Sequence, residues 1–294
     1  MTVLKAVVRN SAIRPLAATA AAKELRAGIV ASVAAEVRWA FAPPRAWLVG
    51  VGVNLLLSLV WLLIDPLSEQ GPHDWVIIVG TYFASFILAD VTTTNVLGVD
   101  RIRVQKCLDD GMPPWRILAV KNLALLVIVG VPTLAVAMLL TLWFETPARL
   151  AITIPEVSVP LLCWLGLGNL LSALFPVGYQ PLIRRWRQRG DLSSTARWLA
   201  HLALPYALYY LADPVDGLPQ IWFWGDVPGL LNLGLGPDGN RSVVHIGAAL
   251  AVWAVGTVTA HCVVRRRGLG AFRQPSVIAE SGPAFRPQRV SPPV

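Results

Sequence analysis

Six stretches of the chain, residues 46–64, 75–96, 123–144, 157–175, 193–211 and 243–264, are each long and apolar enough to cross a hydrocarbon core. Such a crossing takes about 20 helical residues. Lipid offers no partner to a backbone N–H or C=O, so continuous apolar runs of this length must close their hydrogen bonds within themselves, as helices. The expected fold is all-α: a polytopic integral membrane protein with six transmembrane helices. Charged residues make up only 14% of the chain and hydrophobic ones 55%, more apolar material than one water-soluble core needs. The fifth stretch is the least regular, since its densest apolar part begins at Trp198 and Pro205 interrupts it.

Lys and Arg alternate around these runs. Seven precede the first, and the following intervals hold none, five, one, five (counting Arg197, near the start of the fifth stretch) and one, with six after the last, which accounts for all 25. Positive charge marks the cytoplasmic side. Both termini, the loop from Arg101 to Lys121 and the loop from Arg184 to Arg197 are therefore expected inside a cell membrane. The outer intervals carry Asp65, Glu69, Asp74, Glu145, Glu156, Asp213, Asp216, Asp226 and Asp238 and are net acidic. The pI near 9.9 thus reports topology and attraction to anionic lipid. Nucleic acid is not an expected partner, because the basic residues sit where topology already places them.

The chain divides into a leader (1–45), a six-span body (46–264) and a basic tail (265–294) rich in Pro, Ser and Arg, for which disorder is expected. Lys5, Arg9, Arg14, Lys23, Glu24 and Arg26 interrupt the leader, which therefore lacks the apolar core of a cleaved signal. Over residues 23–41, Leu25, Ile29, Val33 and Val37 recur at intervals of four, which predicts an interfacial amphipathic helix ahead of Pro43 and Pro44.

Residues 98–123, GVDRIRVQKCLDDGMPPWRILAVKNL, form a charged segment between two apolar runs. Residues 100–110 read as a short amphipathic helix, with Ile102, Val104, Cys107 and Leu108 on one side and Arg101, Arg103, Lys106 and Asp109 on the other. Gly111 and the pair Pro113 and Pro114 end it. Asp90, followed by Thr92, Thr93, Thr94 and Asn95, is the one acid expected inside a span. It forms a polar collar suited either to a gate or to interhelical hydrogen bonding.

Catalytic signals are weak. Asp213 and Asp216 have a paired-carboxylate spacing, but Pro214 and Gly217 make the segment a turn sequence. His73, His201, His245 and His261 are scattered, and Cys107, Cys163 and Cys262 form neither a disulfide framework nor a zinc spacing. No phosphate-binding loop of the GxxxxGK[ST] type occurs, and Gly166 and Gly168 lie within an apolar run where glycines let helices approach.

The segment 98–123, with its short helix followed by GMPPWRIL and Lys121-Asn122, resembles the loop after the second span in membrane subunits of type-2 ABC exporters (the ABC-2 family). The stretch 168–176, GNLLSALFP, is similar to a segment recurring in bacterial members. The resemblance extends in element order over nearly the whole chain. It implies a permease subunit that is not itself an enzyme and carries no cofactor, ATP and Mg being held by a separate ABC ATPase subunit. It also implies a second permease half, either a second copy or a paralogue. By position, Asp100, Arg101, Arg103, Lys106, Asp109, Asp110, Trp115 and Arg116 would face or brace the ATPase, and residues 23–41 would be a connecting helix along the membrane. The outer segment 213–240 holds Trp222, Phe223 and Trp224, residues suited to the interface. With Asp90 they are candidates for a translocation path or its exit, and the cargo expected is amphiphilic or hydrophobic. Two other classes stay open: an intramembrane or lipid-modifying enzyme using Asp213, Asp216 and His245, and a carrier driven by an ion gradient.

Overall fold

A computed structural model describes residues 28–41, 56, 76–77, 80, 85, 88, 94–176, 192–215, 218, 227 and 234–269. Every regular element among them is helical. In chain order these are α1 (Ile29–Ala40), α2 (Arg101–Asp109), α3 (Pro114–Leu125), a π-helical turn (Leu126–Gly130), α4 (Val131–Phe144), a 3-10 turn (Pro147–Arg149), α5 (Leu150–Leu174), α6 (Leu192–Ala212) and α7 (Gly236–Arg267). Most of the first two expected spans, Asp90, Trp222, Phe223, Trp224 and the tail beyond Leu269 lie outside the described residues.

Among the described residues, three helical stretches have the length and apolarity to cross a membrane: Pro114–Phe144, Pro147–Leu174 and Gly236–Arg267. They cover the third and sixth expected spans and all but the last residue of the fourth, and extend each of them at its N-terminal end. The first runs unbroken through Pro132, which cannot donate a backbone hydrogen bond and whose ring crowds the carbonyl four residues earlier. The wider π turn at Leu126–Gly130 gives that carbonyl room, so the helix continues where a strict α-helix would kink.

α4 and α5 form a hairpin across the short 3-10 turn, with Ala137 packed on Val157 and Val129 near Leu161 and Trp164. α5 pairs most extensively with α7. The matched positions rise together along both helices: Glu156 meets Ser242 and His245, Val159 and Cys163 meet Ala249, and Asn169 meets Thr257. The two helices are therefore parallel. Gly166 allows the closest approach, since a Cβ there would lie 2.6 Å from the Trp253 Cα, and Gly256 faces the Gly166 carbonyl from the other side. Asn169 Nδ2 donates to Thr257 Oγ1 at 2.9 Å just beyond this contact. A parallel pair requires the intervening chain to travel back. α6, with 21 residues, spans about 32 Å at 1.5 Å per residue and has the length to do so.

At the end where α7 finishes in Arg265, Arg266 and Arg267, one apolar core joins Leu97, Val104 and Cys107 to Ile117 and Leu118 of α3, Ala173 of α5, and Ala260 and Val264 of α7. The charged segment 98–123 is thus built into the basic end of the bundle.

Candidate functional site

A tight turn in which the N–H groups of Gly98 and Val99 both reach the Asn95 carbonyl delivers Asp100 to the start of α2. The Asp100 side chain does not cap that helix. Its Oδ2 instead accepts from Arg103 Nε at 2.7 Å and from Lys121 Nζ at 2.9 Å. The two cations meet again on Glu36 of α1, where Lys121 Nζ donates to Oε1 at 2.7 Å and Arg103 Nη2 donates to Oε2. Two acids and two bases therefore alternate around a closed ring with no net charge. All four are buried, Glu36 at 6%, Asp100 at 8%, Arg103 at 3% and Lys121 at 4% exposure. The Trp39 indole covers the ring, its centroid 4.6 Å from the Arg103 guanidinium carbon and 5.5 Å from Lys121 Nζ, so cation–π attraction supplements the ion pairs.

Burial by itself would raise the Glu36 pKa, but the charges of Lys121 and Arg103 outweigh it and hold the carboxyl below its ordinary value. Burial likewise works against the Arg103 charge, and Glu36 and Asp100 more than compensate, raising its already high pKa. A buried ion that loses its partner is far more costly than a pair replaced together. The ring therefore fixes α1, distant in sequence, against the neighbouring pair α2 and α3 in one relative placement.

α2 ends as its sequence dictates. Gly111 takes a left-handed conformation with φ of 83°. Its N–H reaches the Leu108 carbonyl at 2.9 Å, and the Met112 N–H reaches the Cys107 carbonyl at 2.9 Å, which together make a Schellman cap. Met112 returns to the core beside Cys107. Pro113 then serves as N-cap and Pro114 as first residue of α3, where a missing N–H costs nothing. This construction pushes a stiff corner outward, leaving Asp109, Asp110, Gly111, Pro113 and Trp115 exposed, Trp115 by 51%.

The eight residues expected to face or brace an ATPase are thus divided. Asp109, Asp110 and Trp115 are at the surface, and Asp109 accepts from Gln105 Nε2 at 2.8 Å. Lys106 and Arg116 are partly buried, and Arg101 donates to the Leu269 carbonyl at 2.9 Å. Asp100 and Arg103 belong to the buried ring. The expected two sides of α2 need correction, because Ile102 is 69% exposed while Arg103 is buried with Val104 and Cys107. The helix turns Arg103 inward because Glu36 and Asp100 offer two carboxylates there. On α1 the buried residues are Ser32, Ala35 and Glu36, whereas Ile29 and Val30 are exposed.

A second correction concerns Glu156. It was expected in an outer loop, yet α5 begins at Leu150, and Glu156 lies within the membrane-length stretch Pro147–Leu174. Its Oε1 accepts from Ser242 Oγ at 3.1 Å, and His245 Nδ1 is 3.1 Å from Oε1 and 3.2 Å from Oε2. The hydroxyl donates to the acid rather than to the imidazole, so these three do not form an activated nucleophile of the Ser–His–Asp kind. His245 is 1% exposed, and its Nε2 has no hydrogen-bond partner among the described residues. Asp213 is buried and accepts from the Val215 N–H at 3.0 Å, the geometry of a turn; Asp216 lies outside the described residues. Cys107 and Cys163 are buried free thiols and Cys262 is an exposed one. Burial pushes the Cys107 thiol pKa up, away from reactive thiolate character.

Sequence reasoning missed Glu36 and Lys121 as partners. The available signal was Glu36 itself, the only acid in IVASVAAEVRWA, one turn beyond Ser32 on the same face. Comparison with protein-family models, curated proteins and solved structures yields no match to this chain, so its own side-chain arrangement carries the functional reading.

Proposed function

We propose that this protein is the membrane subunit of an exporter driven by a separate ATPase, and that the exposed corner at the end of α2 receives that ATPase. The observation carrying the reading is the closed ring of Glu36, Arg103, Asp100 and Lys121 directly behind the corner. A plain connecting loop has no use for four buried charges. A part that must transmit force has, because neutral, fully paired ions bind α1, α2 and α3 into one block without leaving any charge unsatisfied. In this reading the ATPase pushes on Asp109, Asp110 and Trp115, and the block carries the displacement into the membrane-length stretch that begins at Pro114.

The remaining expectations follow from the same reading. ATP and Mg reside on the partner, a second permease half completes the path, and the subunit sits in the cell membrane with both termini inside. The cargo is amphiphilic or hydrophobic. A test is purification of the tagged chain in lipid nanodiscs from its own host, with identification of associated proteins and of copurifying lipids and small molecules. An ABC ATPase in stoichiometric amount supports the proposal; a wild-type chain purified intact with no ATPase counts against it.

An intramembrane enzyme is the second reading, favoured by the Glu156, His245 and Ser242 cluster, since ionisable groups at membrane depth mark functional sites. The direction of the Ser242 hydrogen bond and the burial of His245 place it behind the exporter reading. Substrate turnover by the purified chain alone, abolished in His245→Ala, would reverse that order.

A further inference from the structure

The inner end of the last helix is tied to the motor-facing segment. α7 stops at Arg267, and Gly268 follows with φ of 63° and ψ of −178°, a backbone state essentially confined to glycine. This turn sends Leu269 back into the bundle. Leu269 is 1% exposed and belongs to the same apolar core as Val104, Cys107 and Met112 of the α2 region and Ala260 and Val264 of α7. Its carbonyl accepts from Arg101 Nη2 at 2.9 Å, across 168 residues of sequence. A buried side chain and a charge-assisted hydrogen bond therefore grip α2 from the side opposite in sequence to α3.

We propose that Leu269 and Arg101 form a latch that positions α2 against the inner end of α7, so that displacing α2 moves the last helix together with α3. The transmission part of this claim rests on α2 being the motor-facing element; the latch itself does not. Movement of α7 reaches α5 as well, because Gly166 and Gly256 bring those two helices into backbone contact and leave no slack for side chains to absorb. One knob thereby acts on two opposite places in the chain order, the start of the third expected span and the end of the sixth.

The experiment uses the full chain in nanodiscs. Cys262 is exposed and takes a spin label, Asp109→Cys supplies the second, and Cys107 and Cys163 are buried. With Leu269 present, the distance between the two labels is a single narrow distribution. Leu269→Ala broadens it, and Leu269→Met, which refills the site, restores the narrow form. If Leu269→Ala does not insert, Gly268→Ala, which strains the turn while leaving Leu269 in the sequence, serves the same purpose. An unchanged distribution in Leu269→Ala, or in Gly268→Ala where Leu269→Ala does not insert, overturns the latch. A second arm reads transmission: with the ATPase bound, Leu269→Ala on the unlabelled chain keeps association and ATP hydrolysis but loses export, an uncoupling that a merely loosened fold would not give. Export at the wild-type level overturns transmission, and a wild-type chain without any ATPase overturns the motor-facing reading, while the distance measurement still decides the latch.

Discussion

Glu36 carries the largest consequence at the scale of single residues, since it ties α1 to both cations of the ring. Glu36→Ala is expected to destabilise the protein by about 3–5 kcal/mol, the usual cost of removing one partner from a buried pair, read as the unfolding midpoint in detergent. Because its folded pKa lies below the ordinary 4.5, the unfolded chain takes up the proton first as pH falls. Its contribution is complete above about pH 4.5 and is lost as pH drops through the lower folded value. The difference between wild type and Glu36→Gln should thus stay constant from about pH 5 to pH 8 and shrink only in stronger acid; a difference varying across neutral pH would contradict the ring. Gly166→Ala tests the other close contact, since the new Cβ would meet the Trp253 backbone at 2.6 Å. Overpacking of this kind typically costs about 1–3 kcal/mol, and a neutral result would mean the two helices are not in backbone contact. A close helix approach at Gly166 was legible in the sequence because Gly166 sits in an apolar run, but its partner Gly256 was not. The burial of Arg103 was not, since its partner Glu36 lies 67 residues away and local periodicity carries no information about it.

Elements were read best where local chemistry alone decides them. Gly111, Pro113 and Pro114 announced the end of α2, where a Schellman cap forms; that Pro114 also leads α3, nine residues ahead of the expected third span, was not read. The faces of α2 were misjudged because apolar spacing on a nine-residue helix is outweighed by two carboxylates waiting inside. The beginning of α5 was misjudged for a different reason: Pro155 and Glu156 interrupt the apolar run, yet the helix passes through both once Ser242 and His245 receive the acid. His245→Ala should therefore leave Glu156 underpartnered in the bundle and lower stability by about 1–3 kcal/mol, the cost of an unsatisfied buried polar group, while Ser242→Ala removes only one hydrogen bond, about 1 kcal/mol. Equal effects of the two substitutions would show that the pair does not carry the contact.

For the whole molecule, the charge alternation and the parallel pairing of α5 with α7 point to the same arrangement. A chain entering both helices from one side must cross back between them. Cysteine labelling from outside the cell is expected to reach the exposed Thr146 and Asp238 positions and to miss Asp109, and an outside-accessible Asp109 position would remove any role for α2 in meeting a cytoplasmic partner. The coupling corner is the central claim, and the direct measurement is copurification of the ATPase with the triple variant Asp109→Lys, Asp110→Lys and Trp115→Ala against wild type. These three residues are exposed and outside the buried ring, so membrane insertion and unfolding midpoint are expected to hold. Charge reversal at a docking contact costs several kcal/mol, so ATPase recovery should fall by at least about tenfold, each 1.4 kcal/mol being a factor of ten. Full recovery of ATPase with the folded triple variant would show that the corner is a connector and that the motor, if there is one, binds elsewhere.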